Sequence, residues 1–320
     1  MISMYDEKNI IAVDLGATNL RVALFGGRKL KKIIKSKTPD TGNIGIVVTD
    51  RIIDLIYELI RPKEVQKILS IGVSSAGPLD ISKGLVVNSP NMKYEYIDIV
   101  QPLKDEFQKD VYLINDCRAG VLGEIYAGSG QKCENLVYIT ISTGIGGGAY
   151  ANGNLILGRD GNAGEIGHFC VDTSYNLPCL CKGKGHWEAY SSGANIPRFF
   201  RAFCNQKGYP FDEEKCQSAE NIFGNAKQGE KEYVLFLDEL GKINARGISN
   251  VVLAYSPEKI ILDGSVALSN RDEILTGIKK HYDSYLKMPK IEFSSLNGLS
   301  PLYGAAYYSF QKVCIKDESI

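Results

Sequence analysis

The stretch NIIAVDLGATNLRVALFGGRKL, residues 9–30, decides the fold. Residues 9–14 (NIIAVD) read as a buried strand, LGATN is a glycine-containing turn, Leu20 to Phe25 return as a second strand, and Gly26-Gly27 turn the chain into a third, charged one. The same order recurs downstream. NLVYITIS (135–142) is an apolar, β-rich run, TGIGG (143–147) supplies the turn, Gly148 to Ala151 return, and Asn152-Gly153-Asn154 lead into LILG. Each half then changes to mixed helix and strand. In the first, apolar residues at Ile52, Leu55, Ile56 and Leu59 keep a helical period, and Ile68 to Val73 read as a parallel-type strand. Two copies of strand, turn, strand, turn, strand imply two related α/β domains facing a shared cleft.

Composition narrows what such a chain can do. At 320 residues it exceeds the span of one ordinary hydrophobic core, so two domains are expected. Its 37 basic and 37 acidic residues cancel, and without a basic run there is no electrostatic footprint for nucleic acid or a membrane surface. A small-molecule partner is the expectation that remains. The opening MISMYDEKN resembles no export signal and no apolar run is long enough to span a bilayer, so a cytoplasmic protein is expected. Eight irregularly spaced cysteines fit reduced thiols in that compartment better than a disulfide framework.

The densest chemistry lies in GRDGNAGEIGHF and PCLCKGKGHWE, residues 158–169 and 178–188. His168, Cys179, Cys181 and His186 offer four nitrogen and sulfur donors within nineteen residues, the number that a closed tetrahedral zinc site requires. An incidental C-x-C on a surface loop is the competing reading, and histidines at both ends weigh against it. Glu165 and Glu188 bracket the four donors. A zinc saturated by nitrogen and sulfur leaves both carboxylates free to accept hydrogen bonds from a polyhydroxylated small molecule.

Two glycine turns facing each other could grip a phosphate chain from both sides. Backbone N–H groups of Gly16 and Ala17 in one turn, and of Thr143, Gly144 and Gly146 in the other, can approach oxygens that side chains would keep away. Neither is a Walker loop, since GxxxxGK[ST] is absent. TGIGGG is no dinucleotide fingerprint either, because a strand follows it. Each turn alone reads as a tight hairpin; the pair together points to a nucleotide.

The ordered set DLGATN (14–19), SSAGPLD (74–80), NSPNM (88–92), IND (114–116), STGIGGG (142–148), GNAGEIGH (161–168), CLCKGKGHWE (179–188), ILDGSVA (261–267) and YGAA (303–306) resembles the ROK sugar kinases. That resemblance implies the two-domain actin-like ATPase (ribonuclease H-like) α/β fold with a central cleft. It divides the chain into 1–116 plus 303–320 and 117–302, with hinges near Asp116 and Leu302, and makes the run from Tyr303 to Lys316 a helix that returns to the first domain. It also implies ATP and magnesium, a structural zinc, a hexose substrate and a homodimer or higher homo-oligomer. Asp116, at the end of the strand VYLIN, takes the role of general base toward the sugar hydroxyl that attacks the γ-phosphate. The competing role is the N-cap of a helix starting at Cys117. Asn91, Asn115, Glu165, His168 and Glu188 are implied to read the sugar hydroxyls. Asp14 is implied to hold magnesium through water, and Gly16, Ala17, Thr18, Asn19, Thr143, Gly144, Gly146 and Gly264 to hold the nucleotide. Three positions depart from the family pattern: Lys182 replaces a usual glycine, His186 a third cysteine and Ala17 a second glycine.

Three function classes follow. The first is an ATP-dependent hexokinase acting on the 6-hydroxyl, with glucose the leading substrate. The second is a kinase for N-acetylmannosamine or another N-acetylhexosamine, which would use the same residues. The third, a sugar-responsive repressor, is disfavoured because the fourteen residues up to Asp14 leave no room for a helix-turn-helix. A non-enzymatic actin-like filament would have no use for the cysteine-histidine segment.

Overall fold

In the computed structural model, which describes residues 8–42, 44–89, 92–159 and 161–318, the opening stretch forms the hairpin strands β1 (Asn9–Leu15), β2 (Asn19–Gly26) and β3 (Lys29–Lys37). Asn91 lies outside the described residues. Helix α1 (Ile46–Leu59) and strand β4 (Ile68–Ser75) follow. A small antiparallel sheet comes next, made of β5 (Leu79–Asp80), β6 (Leu85–Val87) and β7 (Tyr96–Asp98). Helix α2 (Val100–Phe107), strand β8 (Asp110–Asn115) and helix α3 (Asp116–Tyr126) complete this run. The main sheet has the order β3-β2-β1-β4-β8, antiparallel through β3, β2 and β1 and parallel through β1, β4 and β8.

NIIAVD is apolar almost throughout because β1 is covered on both faces. Ile11, Val13 and Leu15 pack into one cluster with Ile52, Leu55, Ile56 and Leu59 of α1. Ile10 and Ala12 face the other way, into a cluster with Leu302, Ala305, Ala306 and Phe310 of the C-terminal helix, Ser300–Glu318.

The second unit repeats this plan. Strands β9 (Leu136–Ile141), β10 (Ile145–Ala151) and β11 (Asn154–Leu155) form the hairpin run. The segment that carries the cysteines leads to the single-turn helix α4 (Glu188–Ser191), then to α5 (Ile196–Lys207), α6 (Ala219–Lys227) and α7 (Lys231–Tyr255). Strand β12 (Lys259–Asp263), helices α8 (Ser265–Ser269) and α9 (Arg271–His281) and strand β13 (Lys290–Phe293) close it. The sheet order is β11-β10-β9-β12-β13, with the same antiparallel and parallel pairings as the first. The third strand expected from LILG is reduced to the two residues of β11.

The chain divides into one unit of Met1–Gln131, Leu157–Asn162 and Leu299–Ile320 and another of Lys132–Ile156 and Ala163–Gly298. Helix α3 falls in the first of these units. A buried carboxylate explains why that helix stays with the first unit: Glu124 accepts from Ser300 Oγ at 2.7 Å and from the Ser129 amide at 2.8 Å, tying α3 to the start of the C-terminal helix. Among the described residues no helix is long and apolar enough to cross a membrane.

Candidate active site

In the first unit the polar residues collect at the carboxyl ends of the parallel strands, where open α/β sheets bind ligands. Asp14 lies near the end of β1 and stands opposite Arg21 on β2 and Ser74 on β4. This register gives its carboxylate two cross-strand partners, Arg21 Nη1 at 2.8 Å and Ser74 Oγ at 3.0 Å. Asp14 is 8% exposed, so the ion pair is partly shielded from water. Neither Arg21 nor Ser74 was legible as its partner, because pairing across strands depends on register. The turn after β1 is closed by Gly16 N–H to the Asn19 carbonyl at 2.9 Å and braced by Thr38, whose hydroxyl donates to the Gly16 carbonyl at 2.7 Å. The amides of Ala17 and Thr18 have no partner among the described residues.

Asn115 ends β8 beside Ser75, its strand partner, and Asp116 follows it directly. The competing capping role falls instead to Asn115, whose Oδ1 accepts from the Cys117 amide at 3.1 Å and the Arg118 amide at 3.4 Å. Helix α3 therefore begins at Asp116, one residue earlier than expected. With Oδ1 committed to the helix, the Asn115 amide nitrogen is the group left to donate. Asp116 is half-buried in the first helical position and accepts from the Cys117 amide at 2.8 Å.

In the second unit the glycine turn lies between β9 and β10, and the Ser142 amide donates across it to the Gly144 carbonyl at 2.9 Å. Thr143 is exposed at its tip. Gly146, expected in the turn, is already inside β10 opposite Thr140. The amides of Thr143 and Gly144 have no partner among the described residues. At the adjacent end of β12, buried Asp263 accepts from the Tyr138 hydroxyl at 2.9 Å and from the Gly264 amide at 2.8 Å. Gly264 has a φ of 91°, and a Cβ there would meet the Ile141 carbonyl oxygen at 2.5 Å, so this corner admits only glycine.

The four donors found in the sequence come together in the same unit. The ligand atoms of His168, Cys179, Cys181 and His186 all lie within 4.8 Å of one another. Cys179 Sγ is 3.7 Å from His168 Nδ1, and Cys181 Sγ is 3.2 Å from His186 Nδ1. Donors about 2.0–2.3 Å from one tetrahedral zinc stand roughly 3.3–3.8 Å apart, so these two pairs already approach the edges of such a site. Burial pushes the Cys179 thiol pKa up, and burial first, then the neighbouring His168, holds His186 below its usual value and hence neutral.

The loop is built to hold this geometry. Cys179 and Gly183 close the turn through an amide-to-carbonyl bond of 2.8 Å, and isolated bridges pair Pro178 with Lys184 and Cys170 with His186. Asp172, absent from the motif reading, braces its base: its carboxylate accepts from the amides of Ser174 (3.1 Å), Tyr175 (2.8 Å) and Asn176 (3.2 Å) and from the Tyr190 hydroxyl (2.8 Å). Trp187, fully buried, anchors the loop's exit by donating to Asn244 on α7 at 2.9 Å. Glu165 is exposed and immediately precedes the short turn Ile166–His168, whereas half-buried Glu188 opens α4.

Lys182, one of the departures noted above, has a φ of 72°. A left-handed backbone costs an L-residue about 1–2 kcal/mol, part of which glycine returns through its freer unfolded chain. Lys182→Gly should therefore stabilise the protein by about 0.5–1 kcal/mol in a denaturant titration. An unchanged or lower midpoint would mean that the lysine side chain offsets the strain.

A family model described as the ROK family matches residues 10–311. The chain belongs to the ROK family. A glucokinase from Pyrobaculum calidifontis is 36% identical over 279 residues, covering 86% of both chains. A ROK hexokinase from Thermus thermophilus superposes with a TM-score of 0.76 at 25% identity, over 95% of this chain and 99% of that one. A ROK glucokinase from Streptomyces griseus, crystallised with glucose and AMPPNP, gives 0.74 at 24% identity over the same shares, so the chain has the fold of these ROK kinases. As a ROK protein the chain thus carries a glycine turn after the first strand of the main sheet in each unit, a strand-end aspartate in the first and the cysteine-histidine cluster in the second.

Proposed function

We propose that this ROK protein is an ATP-dependent kinase that phosphorylates a hexose at its 6-hydroxyl, with glucose as the preferred substrate. The observation that carries the reading is the 36% identity with a glucokinase over 86% of both chains. The strand-end chemistry supports it. Open amides at Ala17 and Thr18 in one unit, and at Thr143 and Gly144 in the other, suit the oxygens of a triphosphate. Asp116 takes the proton from the attacking hydroxyl. Glu165, His168, Glu188 and the Asn115 amide nitrogen pair with the hydroxyls of the sugar, where a missing hydroxyl would leave polar groups unsatisfied.

Asp14 fits a magnesium ion held through water. The bonds from Arg21 and Ser74 fix its orientation, and a carboxylate, with about four acceptor sites, can accept from water protons besides. The ion's contribution is charge neutralisation on the phosphates. The cluster of two thiols and two imidazoles fits a structural zinc, which the chain would use to hold Glu188 and His168 in place.

An N-acetylhexosamine kinase would use the same residues and differ in the surroundings of the sugar's C2. Coupled ADP release against glucose, fructose, mannose, N-acetylglucosamine and N-acetylmannosamine separates the two. The highest kcat/KM is expected with glucose; a clear preference for N-acetylmannosamine would reassign the substrate.

A further inference from the structure

Glu188 does more in this fold than present a carboxylate to a sugar. Its Oε2 accepts a hydrogen bond from the backbone amide of buried Ile145 at 2.9 Å, where the glycine turn enters β10. No hydrogen bond occupies its Oε1 among the described residues. The turn lies so close that a Cβ on Gly144 would stand 2.6 Å from the same Oε2, so a larger residue there would displace the Glu188 carboxylate. The residues after α4 grip the turn from its carbonyl side. Gly193 N–H donates to the Ser142 carbonyl at 2.7 Å, and Ala194 N–H to the Thr143 carbonyl at 3.3 Å. The chain from Glu188 to Ala194 thus holds one amide and two carbonyls of a four-residue turn, and leaves the Thr143 and Gly144 amides without a partner among the described residues.

We propose that Glu188 is a positioning residue for the phosphate-binding turn Ser142–Ile145, so that one carboxylate serves the sugar with one oxygen and shapes the nucleotide site with the other. The inference rests on the kinase reading given above. Its physical content is that hydrogen bonding, not charge, is what the turn needs. A negative charge beside a phosphate site repels the nucleotide, whereas an acceptor for the Ile145 amide fixes the backbone that binds it.

Three substitutions separate these effects. Glu188→Gln keeps an acceptor and removes the charge; Glu188→Ala removes both; Glu188→Asp keeps the charge and withdraws the oxygen by about one bond length. Isothermal titration with AMPPNP and magnesium, without sugar, reads the turn alone. Glu188→Ala should raise the AMPPNP Kd about tenfold, the upper end for losing one hydrogen bond, while Glu188→Gln stays within about twofold of wild type. Glu188→Asp should follow Ala, and stands in for it where Ala does not fold. In turnover assays Glu188→Gln should raise KM for the sugar alone, whereas Glu188→Ala raises KM for both substrates. Glu188→Ala or Glu188→Asp binding AMPPNP as tightly as wild type, or more tightly, would overturn the role proposed for Glu188. A wild type that fails to bind AMPPNP at all would strike the kinase reading instead.

Discussion

Asp116→Asn is expected to lower kcat by about a hundredfold to ten-thousandfold, the range for removing a general base. An amide cannot take the hydroxyl proton at neutral pH, and the loss should appear at saturating sugar and ATP. Stability should barely change. The cap of α3 is Asn115, so the substitution leaves the helix's main terminal bonds in place, and the asparagine carbonyl can still accept from the Cys117 amide. What disappears is a negative charge in the first helical turn, which contributes about 0.3–1 kcal/mol. Steady-state kinetics together with a thermal melt check both halves. Near-normal kcat at saturating substrates would remove Asp116 from the chemistry and move the base elsewhere.

Cys181→Ser should reduce zinc from about one ion per chain to well below that in metal analysis, because a closed four-donor site loses one of its two thiolates. Sugar KM should rise by about tenfold or more once Glu188 loses its fixed place, the scale set by a hydrogen bond to a charged group. The cluster also has a pH dependence of definite sign. Burial raises the Cys179 pKa, so metal binding must release its proton, and zinc affinity should fall as the pH falls. His186 does not oppose this, since its lowered pKa keeps it neutral and ready to bind at neutral pH. A wild-type protein that purifies without zinc, never having met a chelator, would contradict the assignment.

The repeated hairpin was readable in the sequence because its signals are local. Apolar runs that stay apolar on both faces mark strands buried between layers, and glycine turns separate them at the same spacing twice. The grouping of the two cysteines and two histidines was readable for a similar reason, as they sit on one loop. What escaped the sequence is what depends on distant pairing. Arg21 and Ser74 meet Asp14 only because the registers of β2 and β4 bring them opposite. Asp172 braces the loop through Tyr190, eighteen residues on, and Glu188 reaches Ile145 across forty-three. The cap of α3 lies one residue before the expected position because Asn and Asp cap helices about equally well, and the adjacent pair Asn115-Asp116 offers both. Helix α3 is tied to the C-terminal helix by the Glu124–Ser300 bond, which joins residues 176 apart in the chain.

Phosphoryl transfer from ATP to the 6-hydroxyl of a hexose is tested most directly by glucose 6-phosphate formation, coupled to glucose-6-phosphate dehydrogenase, with ADP release from 6-deoxyglucose as the paired control. Steady, ATP- and magnesium-dependent product is predicted from glucose, and no sugar-dependent ADP release from 6-deoxyglucose. Absence of product from glucose in zinc-replete protein, or ATP consumption that is the same with either sugar, would contradict it.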